Sequence, residues 1–203
     1  MLIGIVDYGM GNLGSMLNMF KRIGKEAATV SSPDDILAVQ KLVLPGVGSF
    51  DAAMERINAI QGLRDALTEQ ALTRKIPVLG VCLGMQLLTR SSEEGSLPGL
   101  AWVPATTVRF PRQAGLKVPH MGWNNAVPQM PNQLTDIADV DLRFYFVHSY
   151  YVRTDCPSHS LMRTHYGVSF DSAICRDNIY GVQFHPEKSH RFGMRLLKHF
   201  AEL

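Results

Sequence analysis

The segment Gly80-Val81-Cys82-Leu83-Gly84 constrains the fold of this chain more than any other part of the sequence. It has the form of a nucleophile elbow, a sharp strand-to-helix turn, with cysteine in place of the more familiar serine. Such a turn crowds the backbone, so small residues are needed two positions before and after the nucleophile. The apolar run 76–81 predicts the strand before the turn, and the pattern over 84–89 predicts the helix after it. The sequence therefore predicts an α/β sheet with Cys82 at the carboxyl end of a strand.

Strand and helix signals alternate through the rest of the first half. Apolar runs at 2–6, 27–30 and 42–44 predict three further strands. Apolar residues at helical spacing predict helices over 13–23 and from about 52 to 73, and Ser32-Pro33 resembles a helix start. This alternation predicts an open, mostly parallel sheet with helices on both faces.

The second half has a different pattern. Between 101 and 184 the runs are short, aromatic and interrupted by Pro, Asn and Asp, which favours added antiparallel strands and loops. The runs 168–175 and 179–184 predict a hairpin, and the apolar spacing from Phe192 to Phe200 predicts a closing helix. We expect one domain over residues 1–203, with a mixed sheet, because no linker, repeat or low-complexity tract divides the chain.

Composition excludes several classes of function. The 20 Lys and Arg residues nearly balance the 18 Asp and Glu residues and form no basic stripe, so we expect no nucleic-acid partner. No apolar run is long enough to cross a bilayer, and the N-terminus lacks the features of a signal peptide, so we expect no membrane partner. The widely spaced Cys82, Cys156 and Cys175 fit neither a disulfide framework nor a metal site, which favours a reducing cytoplasm and predicts no metal.

The position of Cys82 predicts a reactive thiol. The positive end of the following helix favours thiolate over thiol, and the N–H of Leu83, the residue after the nucleophile, is a natural oxyanion donor. By itself Cys82 is equally compatible with a buried structural cysteine between two packing glycines. The other two cysteines lack this context, and we interpret them as structural.

His185 and Glu187 are the candidate base and its orienting group. His185 follows the apolar run 179–184, so the sheet can bring it beside Cys82 from far away in sequence. Glu187 can accept a hydrogen bond from one imidazole nitrogen while the other nitrogen faces the sulfur. Alone, His-Pro-Glu is compatible with a surface turn, and only its pairing with the elbow favours catalysis. The other histidines show no comparable placement.

Together these segments resemble the class I, triad-type glutamine amidotransferases, which carry Gly-x-Cys-x-Gly-x-Gln and His-x-Glu motifs. Those motifs are present here as Gly80–Gln86 and His185–Glu187. Four further segments resemble the glutaminase subunits of imidazole glycerol phosphate synthase, in the expected order along nearly the whole chain: 7–13 (DYGMGNL), 44–48 (LPGVG), 119–124 (PHMGWN) and 146–150 (FVHSY).

The resemblance implies roles for individual residues. Cys82 attacks the side-chain amide of glutamine, His185 transfers the proton and Glu187 orients His185. Val47 and Leu83 supply the oxyanion donors. The substrate-binding positions are Gly46, Gly48, Gln86, Glu94 and the backbone at Ser149 and Tyr150. No cofactor is implied.

The resemblance also implies a partner and a pathway. Ammonia enters a (β/α)8-barrel synthase subunit, the cyclase, which forms a heterodimer with the glutaminase and makes imidazole glycerol phosphate and aminoimidazole carboxamide ribotide in histidine biosynthesis. Asn12, Trp123 and Tyr145 match partner-facing positions. The chain departs from the family pattern at Gly99-Leu100-Ala101-Trp102, where the family often has a second glycine, which leaves the shape of that loop open.

Alternative functions remain open on the sequence alone. Paralogous glutaminase subunits share these motifs and feed ammonia to an enzyme that amidates surface-polysaccharide sugars. Gly9, Gly11 and Gly14 satisfy a dinucleotide-binding fingerprint after a strand and before a helix, but Val30 stands where an acidic ribose ligand is expected. A non-enzymatic docking subunit would have lost part of the triad, and a free-standing hydrolase would turn over without a partner.

Overall fold

The computed structural model describes residues 1–135 and 141–203. Its helices are α1 (Leu13–Arg22), α2 (Pro33–Ala38), α3 (Phe50–Ala59), α4 (Leu63–Thr68), α5 (Leu83–Leu87) and α6 (His190–Glu202). Its strands are β1 (Ile3–Val6), β2 (Ala27–Val30), β3 (Lys41–Gly46), β4 (Val78–Cys82), β5 (Ala105–Arg109), β6 (His120–Asn125), β7 (Val127–Pro128), β8 (Arg143–His148), β9 (Tyr150–Thr154), β10 (Ser160–Tyr166), β11 (Val168–Arg176) and β12 (Ile179–Val182).

A mixed sheet forms the centre of the fold. Its main path runs β2-β1-β3-β4-β12-β11-β10-β7, with β9 paired to β11 and to β5. Strands β2, β1, β3, β4 and β12 are parallel, whereas β11 is antiparallel to β12. Strands β6 and β8 form a separate antiparallel pair. The predicted mixed sheet, its added antiparallel strands and the 168–184 hairpin are confirmed.

Helices cover both faces of the sheet because the central strands are apolar on both sides. Along β3, Leu42 and Leu44 join one core cluster and Val43 joins the other, as the two-residue period of a strand requires. Apolar residues of α2, α3 and α4 complete the first cluster, and those of α1 and α6 complete the second. The doubly covered sheet fixes the carboxyl ends of β3, β4 and β12 side by side.

The single helix expected over 52–73 is wrong. Helix α3 ends before Ile60, which is extended, and α4 begins after Gly62, whose φ is +77°. The chain then continues as a π-helical turn over Glu69–Thr73. The left-handed glycine interrupts a pattern whose apolar spacing is helical on both sides, so periodicity alone could not show the break. Within residues 1–135 and 141–203, no helix is long and apolar enough to span a membrane.

Candidate active site

The predicted strand, turn and helix are present around Cys82. Cys82 ends β4 and caps α5, with φ 56° and ψ −111°, a backbone conformation that non-glycine residues rarely adopt. A Cβ added to Gly80 would lie 2.6 Å from the Gly84 carbonyl oxygen, and a Cβ on Gly84 would overlap the Leu44 carbonyl oxygen. Glycine is therefore required on both sides of Cys82 for the turn to close against β3.

His185 and Glu187 form a buried hydrogen-bonded pair. His185 Nδ1 lies 2.8 Å from Glu187 Oε1, and the two side chains are 3% and 4% exposed. The His185 N–H donates to the Tyr145 carbonyl at 2.9 Å, and the Ser189 hydroxyl donates to the His185 carbonyl at 2.6 Å. Both backbone groups of His185 are thus held, which fixes the direction of its imidazole.

The charge state of His185 depends on its partners. Burial alone would lower the pKa of its imidazole, but hydrogen bonds to the Cys82 sulfur and to Glu187 outweigh burial and raise the pKa to about 10. Glu187 accepts from Nδ1, so Nε2 is the nitrogen that faces the sulfur. The arrangement can hold a thiolate beside an imidazolium and pass a proton between sulfur and substrate.

The segment after β3 lies next to the elbow. Gly46 is the Cα partner of Cys82 in the parallel β3–β4 ladder, and the following Val47 is 45% exposed. The hydroxyl of the buried Tyr8 donates to the Pro45 carbonyl at 2.7 Å. A Cβ on Gly46 would lie 2.7 Å from that hydroxyl, so glycine makes room for it. The Val47 peptide therefore follows the end of β3, which the Tyr8 hydroxyl holds in place through the Pro45 carbonyl.

A cavity of about 290 Å³ opens above Cys82. Its volume is near the small end of the usual range for small-molecule sites. Most of the predicted site residues line it, namely Val47, Gly48, Cys82, Leu83, Gln86, Glu94, Ser149, Tyr150 and His185. Gly46 and Glu187 do not line the cavity and lie behind it, next to Cys82 and His185 respectively.

Glu94 connects the cavity wall to helix α3. Its Oε2 accepts the Phe50 N–H at 2.9 Å, at the start of the helix that follows Val47 and Gly48. In return Asp51 accepts the N–H groups of Ser96 and Leu97. Burial raises the pKa of Glu94, and the Phe50 hydrogen bond opposes that rise. The carboxylate keeps lone pairs for a cationic ligand while one oxygen caps the helix.

The predicted partner-facing residues fall into two groups. Trp123 and Tyr145 are paired across β6 and β8, with ring centroids 6.3 Å apart, and Trp123 is 47% exposed. Tyr145 is also the residue whose carbonyl holds His185. Asn12 lies elsewhere, as the N-cap of α1, where its side chain accepts the Ser15 N–H.

The glycine-rich loop that resembles a dinucleotide fingerprint packs against the end of β3 and against helix α3. Gly9 and Gly11 have φ values of +83° and +119°, and a Cβ on Gly11 would lie 3.2 Å from Pro45. The Gly9 carbonyl accepts a hydrogen bond from Arg56 at 3.0 Å. Gly9 and Gly11 therefore allow this loop to lie close to the end of β3 and to α3, which accounts for these two glycines without a bound pyrophosphate.

Three buried polar side chains near the cavity were missed by the sequence analysis. Gln183 is fully buried and lies 3.8 Å from the Cys82 sulfur. His120 and His148, 2% and 6% exposed, are hydrogen bonded to each other, a pairing that the sequence analysis did not predict. A signal for Gln183 existed, since it is a lone amide in a run otherwise suited to a strand buried on both faces.

Within the part of the chain that the structure describes, no group of three or more His, Cys, Asp or Glu residues could hold a metal ion.

Comparison with known proteins gives a consistent family. Residues 4–202 match the family model described as glutamine amidotransferase class-I. The chain is 50% identical over 202 residues to imidazole glycerol phosphate synthase subunit HisH 2 of Pseudomonas aeruginosa, with 100% of both chains covered. It is 51% identical over 201 residues to the protein of the same name from Methanococcus maripaludis, with 99% of both covered. The HisH subunit of Bdellovibrio bacteriovorus is 45% identical over 205 residues, with 100% of both covered.

Solved structures share the fold at low sequence identity. A crystal structure of a glutamine amidotransferase superposes with a TM-score of 0.77 at 17% identity, covering 98% of this chain and 97% of that one. A crystal structure of a glutamine amidotransferase from Thermotoga maritima superposes with a TM-score of 0.67, also at 17% identity, covering 99% of this chain and 82% of that one. At these identities the likeness concerns the fold alone.

Proposed function

Because the chain belongs to the class I glutamine amidotransferases, and among them to the HisH subunits of imidazole glycerol phosphate synthase, we propose that it hydrolyses glutamine with Cys82, His185 and Glu187. The single observation that carries this proposal is the buried His185–Glu187 pair, whose free imidazole nitrogen faces the sulfur at a strained elbow. The domain boundary that we propose is the whole of residues 1–203.

The reaction follows from the positions of these atoms. The Cys82 thiolate attacks the side-chain carbonyl carbon of glutamine, and the C–N bond breaks as His185 gives its Nε2 proton to the leaving nitrogen, releasing ammonia. The γ-glutamyl thioester then accepts water, whose proton returns to Nε2, and the C–S bond breaks to release glutamate. Glu187 accepts from Nδ1 and thereby keeps the imidazole in the required orientation.

Two backbone N–H groups are the proposed oxyanion donors. Leu83 is the first residue of α5, so its N–H belongs to the group that has no intrahelical acceptor. Val47 supplies the second donor when its peptide turns toward the cavity, between Gly46 and Gly48, which permit that rotation. Removing one such donor typically costs about 3–4 kcal/mol of barrier.

The cavity wall suits the rest of the glutamine molecule. We assign the α-ammonium to Glu94, a carboxylate that lines the cavity with one oxygen free of Phe50. The backbone at Ser149 and Tyr150 suits the α-carboxylate, and Gln86 holds this backbone because its amide donates to the Tyr150 carbonyl at 3.1 Å. These assignments place the side-chain amide of the substrate over Cys82.

We propose that the partner receiving ammonia is a (β/α)8-barrel cyclase, in the cytoplasm and in histidine biosynthesis. Large apolar side chains are exposed in the segments around the cavity: Val47, Val118, Met121 and Trp123. An exposed apolar surface beside a catalytic pocket is typical of a docking site. Trp123, Tyr145 and Asn12 are the partner-facing residues that we assign.

Glutamate release by the purified chain tests the proposal. The protein is assayed alone and with the cyclase plus its nucleotide ligand, using Cys82→Ala as the control. We expect low activity alone, a rise of orders of magnitude in the complex, and no activity in the variant. Activity that survives in Cys82→Ala would contradict the assigned nucleophile. Stimulation by a sugar-amidating partner in place of the cyclase would move the chain to the paralogous pathway.

A further inference from the structure

Gln183 is a buried polar residue to which the proposed reaction assigns no role. It directly follows β12, two residues before His185, and it is fully buried. An unpaired amide in such a position would be costly, so its partners matter. One partner is the side chain of Gln86, and the other is the sulfur of Cys82.

The orientation of both amides follows from one carbonyl group. The Tyr150 carbonyl can only accept hydrogen bonds, so the atom of Gln86 that lies 3.1 Å from it is the amide nitrogen Nε2. The same nitrogen lies 3.1 Å from Gln183, so it must meet the oxygen Oε1 there. The NH2 group of Gln183 is therefore left on the opposite side, 3.8 Å from the Cys82 sulfur.

We propose that Gln183 donates an N–H hydrogen bond to the Cys82 sulfur and thereby favours the thiolate, in an orientation imposed by Gln86 and the Tyr150 carbonyl. The inference rests on the proposed role of Cys82 as nucleophile. A donor to an anionic acceptor contributes more than a neutral hydrogen bond, and burial protects this donor from competition by water. Gln183 acts on the nucleophile before substrate arrives, in addition to His185.

Other titratable groups surround the sulfur and must stay unchanged in a test. His185 faces the sulfur with Glu187 behind it, and the Tyr8 hydroxyl lies below, close enough for charge on Cys82 to act on it. Glu94, His148 and Lys188 line the same cavity. A substitution of Gln183 by a neutral residue of similar size alters none of these charges.

The test measures the rate at which iodoacetamide alkylates Cys82 as a function of pH, in Gln183→Met and in the wild type. Mapping of the modified peptide separates Cys82 from Cys156 and Cys175. We expect the midpoint of alkylation to rise by about one pH unit in Gln183→Met, as expected for losing a hydrogen bond to a charged group. Gln70→Met is the matched control, because Gln70 is also buried and its amide donates to two carbonyls, those of Ile36 and Val39, away from the cavity.

A midpoint shift in Gln183→Met no larger than that in Gln70→Met would overturn the inference. A second measurement needs no variant of Gln183: in the wild-type protein, the side-chain amide resonances of Gln183 should titrate with the Cys82 thiol, and this titration should disappear in Cys82→Ser. Gln183 amide resonances that do not change as the Cys82 thiol titrates would also overturn the inference. Neither readout requires turnover, so a failure here is distinguishable from a failure of the proposed glutaminase activity.

Discussion

The imidazole rings of His120 and His148 are hydrogen bonded to each other in the protein interior, with His120 Nδ1 2.9 Å from His148 Nε2. His148 Nδ1 lies 2.8 Å from the Tyr150 carbonyl, which can only accept, so Nδ1 carries the proton and Nε2 accepts from His120. His120 Nε2 then accepts from the Asn124 amide at 3.1 Å. The chain of donors runs in one direction, from the strand that carries Trp123 to the cavity wall.

This pair predicts acid lability. Burial lowers the pKa of His120 to about 4 and that of His148 to about 3, below the unfolded value of about 6.5. Between those values the unfolded chain binds protons that the folded chain does not, so the free energy of unfolding should fall as the pH falls from 6.5 toward 4. The raised pKa of His185 affects stability in a different pH range. Its contribution to the free energy of unfolding is lost only as the pH rises from about 6.5 toward 10.

Urea unfolding across this pH range measures the effect. In His120→Gln the dependence of the unfolding free energy on pH should be shallower than in the wild type, since one titrating group has been removed. His165→Gln, at an exposed position, should leave the slope unchanged. Equal slopes in all three proteins would contradict the assignment of acid lability to the buried pair.

Two glycines, Gly84 of the elbow and Gly14 of helix α1, predict opposite effects when each is replaced by alanine. Gly84→Ala should destabilise the protein by several kcal/mol, since the added methyl overlaps the Leu44 carbonyl oxygen in a packed core. Gly14→Ala should stabilise it by up to about 1 kcal/mol, because Gly14 is an exposed helical residue with open space around it. Thermal melts of the two variants measure both changes in stability. A Gly84→Ala protein as stable as the wild type would refute the packing argument.

The Tyr8–Pro45 hydrogen bond predicts a change in turnover. Burial raises the pKa of the Tyr8 hydroxyl, so it remains a donor at neutral pH. Tyr8→Phe leaves the Pro45 carbonyl without this donor and loosens the support of Val47, so kcat in the partner complex should fall several-fold while KM changes little. Tyr180→Phe is the control, since it removes a comparable hydrogen bond, to Gln133 at 2.6 Å, at a distance from the cavity. Parallel losses in both variants would indicate a stability effect only.

The position of Val47 suggests why the isolated chain should have low glutaminase activity. If its N–H is turned away in the resting protein, Val47→Gly should raise glutaminase activity of the isolated chain, because glycine rotates more freely about this peptide. The expected rise is at least several-fold, since a full oxyanion donor contributes about 3–4 kcal/mol. Val127→Gly, at another exposed valine, serves as the control. Unchanged basal activity in Val47→Gly would count against a strand that switches.

The loop that departs from the family pattern predicts a stabilising change. Ala101 has φ 56°, a left-handed conformation that costs a residue with a Cβ roughly 1–2 kcal/mol. Ala101→Gly should therefore raise the melting temperature, by an amount partly offset by the entropy of glycine in the unfolded chain. Ala38→Gly, in helix α2, should lower it. A lower melting temperature for Ala101→Gly would show that the loop relaxes around alanine.

The sequence by itself determined the elbow, the alternation of strands and helices, and the candidate triad. These features depend on local rules: glycines on both sides of Cys82 permit one sharp turn, and strand runs that are apolar on both faces require helices on both sides. Family motifs added the positions of Val47, Glu94 and Tyr150. Each of these signals lies within a few consecutive residues.

Only the tertiary structure decided which distant polar groups meet. Gln183 faces Cys82, His120 pairs with His148, and Glu94 caps the helix that starts at Phe50, across separations of 101, 28 and 44 residues. Local propensity carries no information about such pairs, because they form only where the packing of both cores brings together segments that are far apart in the sequence. The break at Gly62 was missed for a related reason: helical apolar spacing continues on either side of a single left-handed residue.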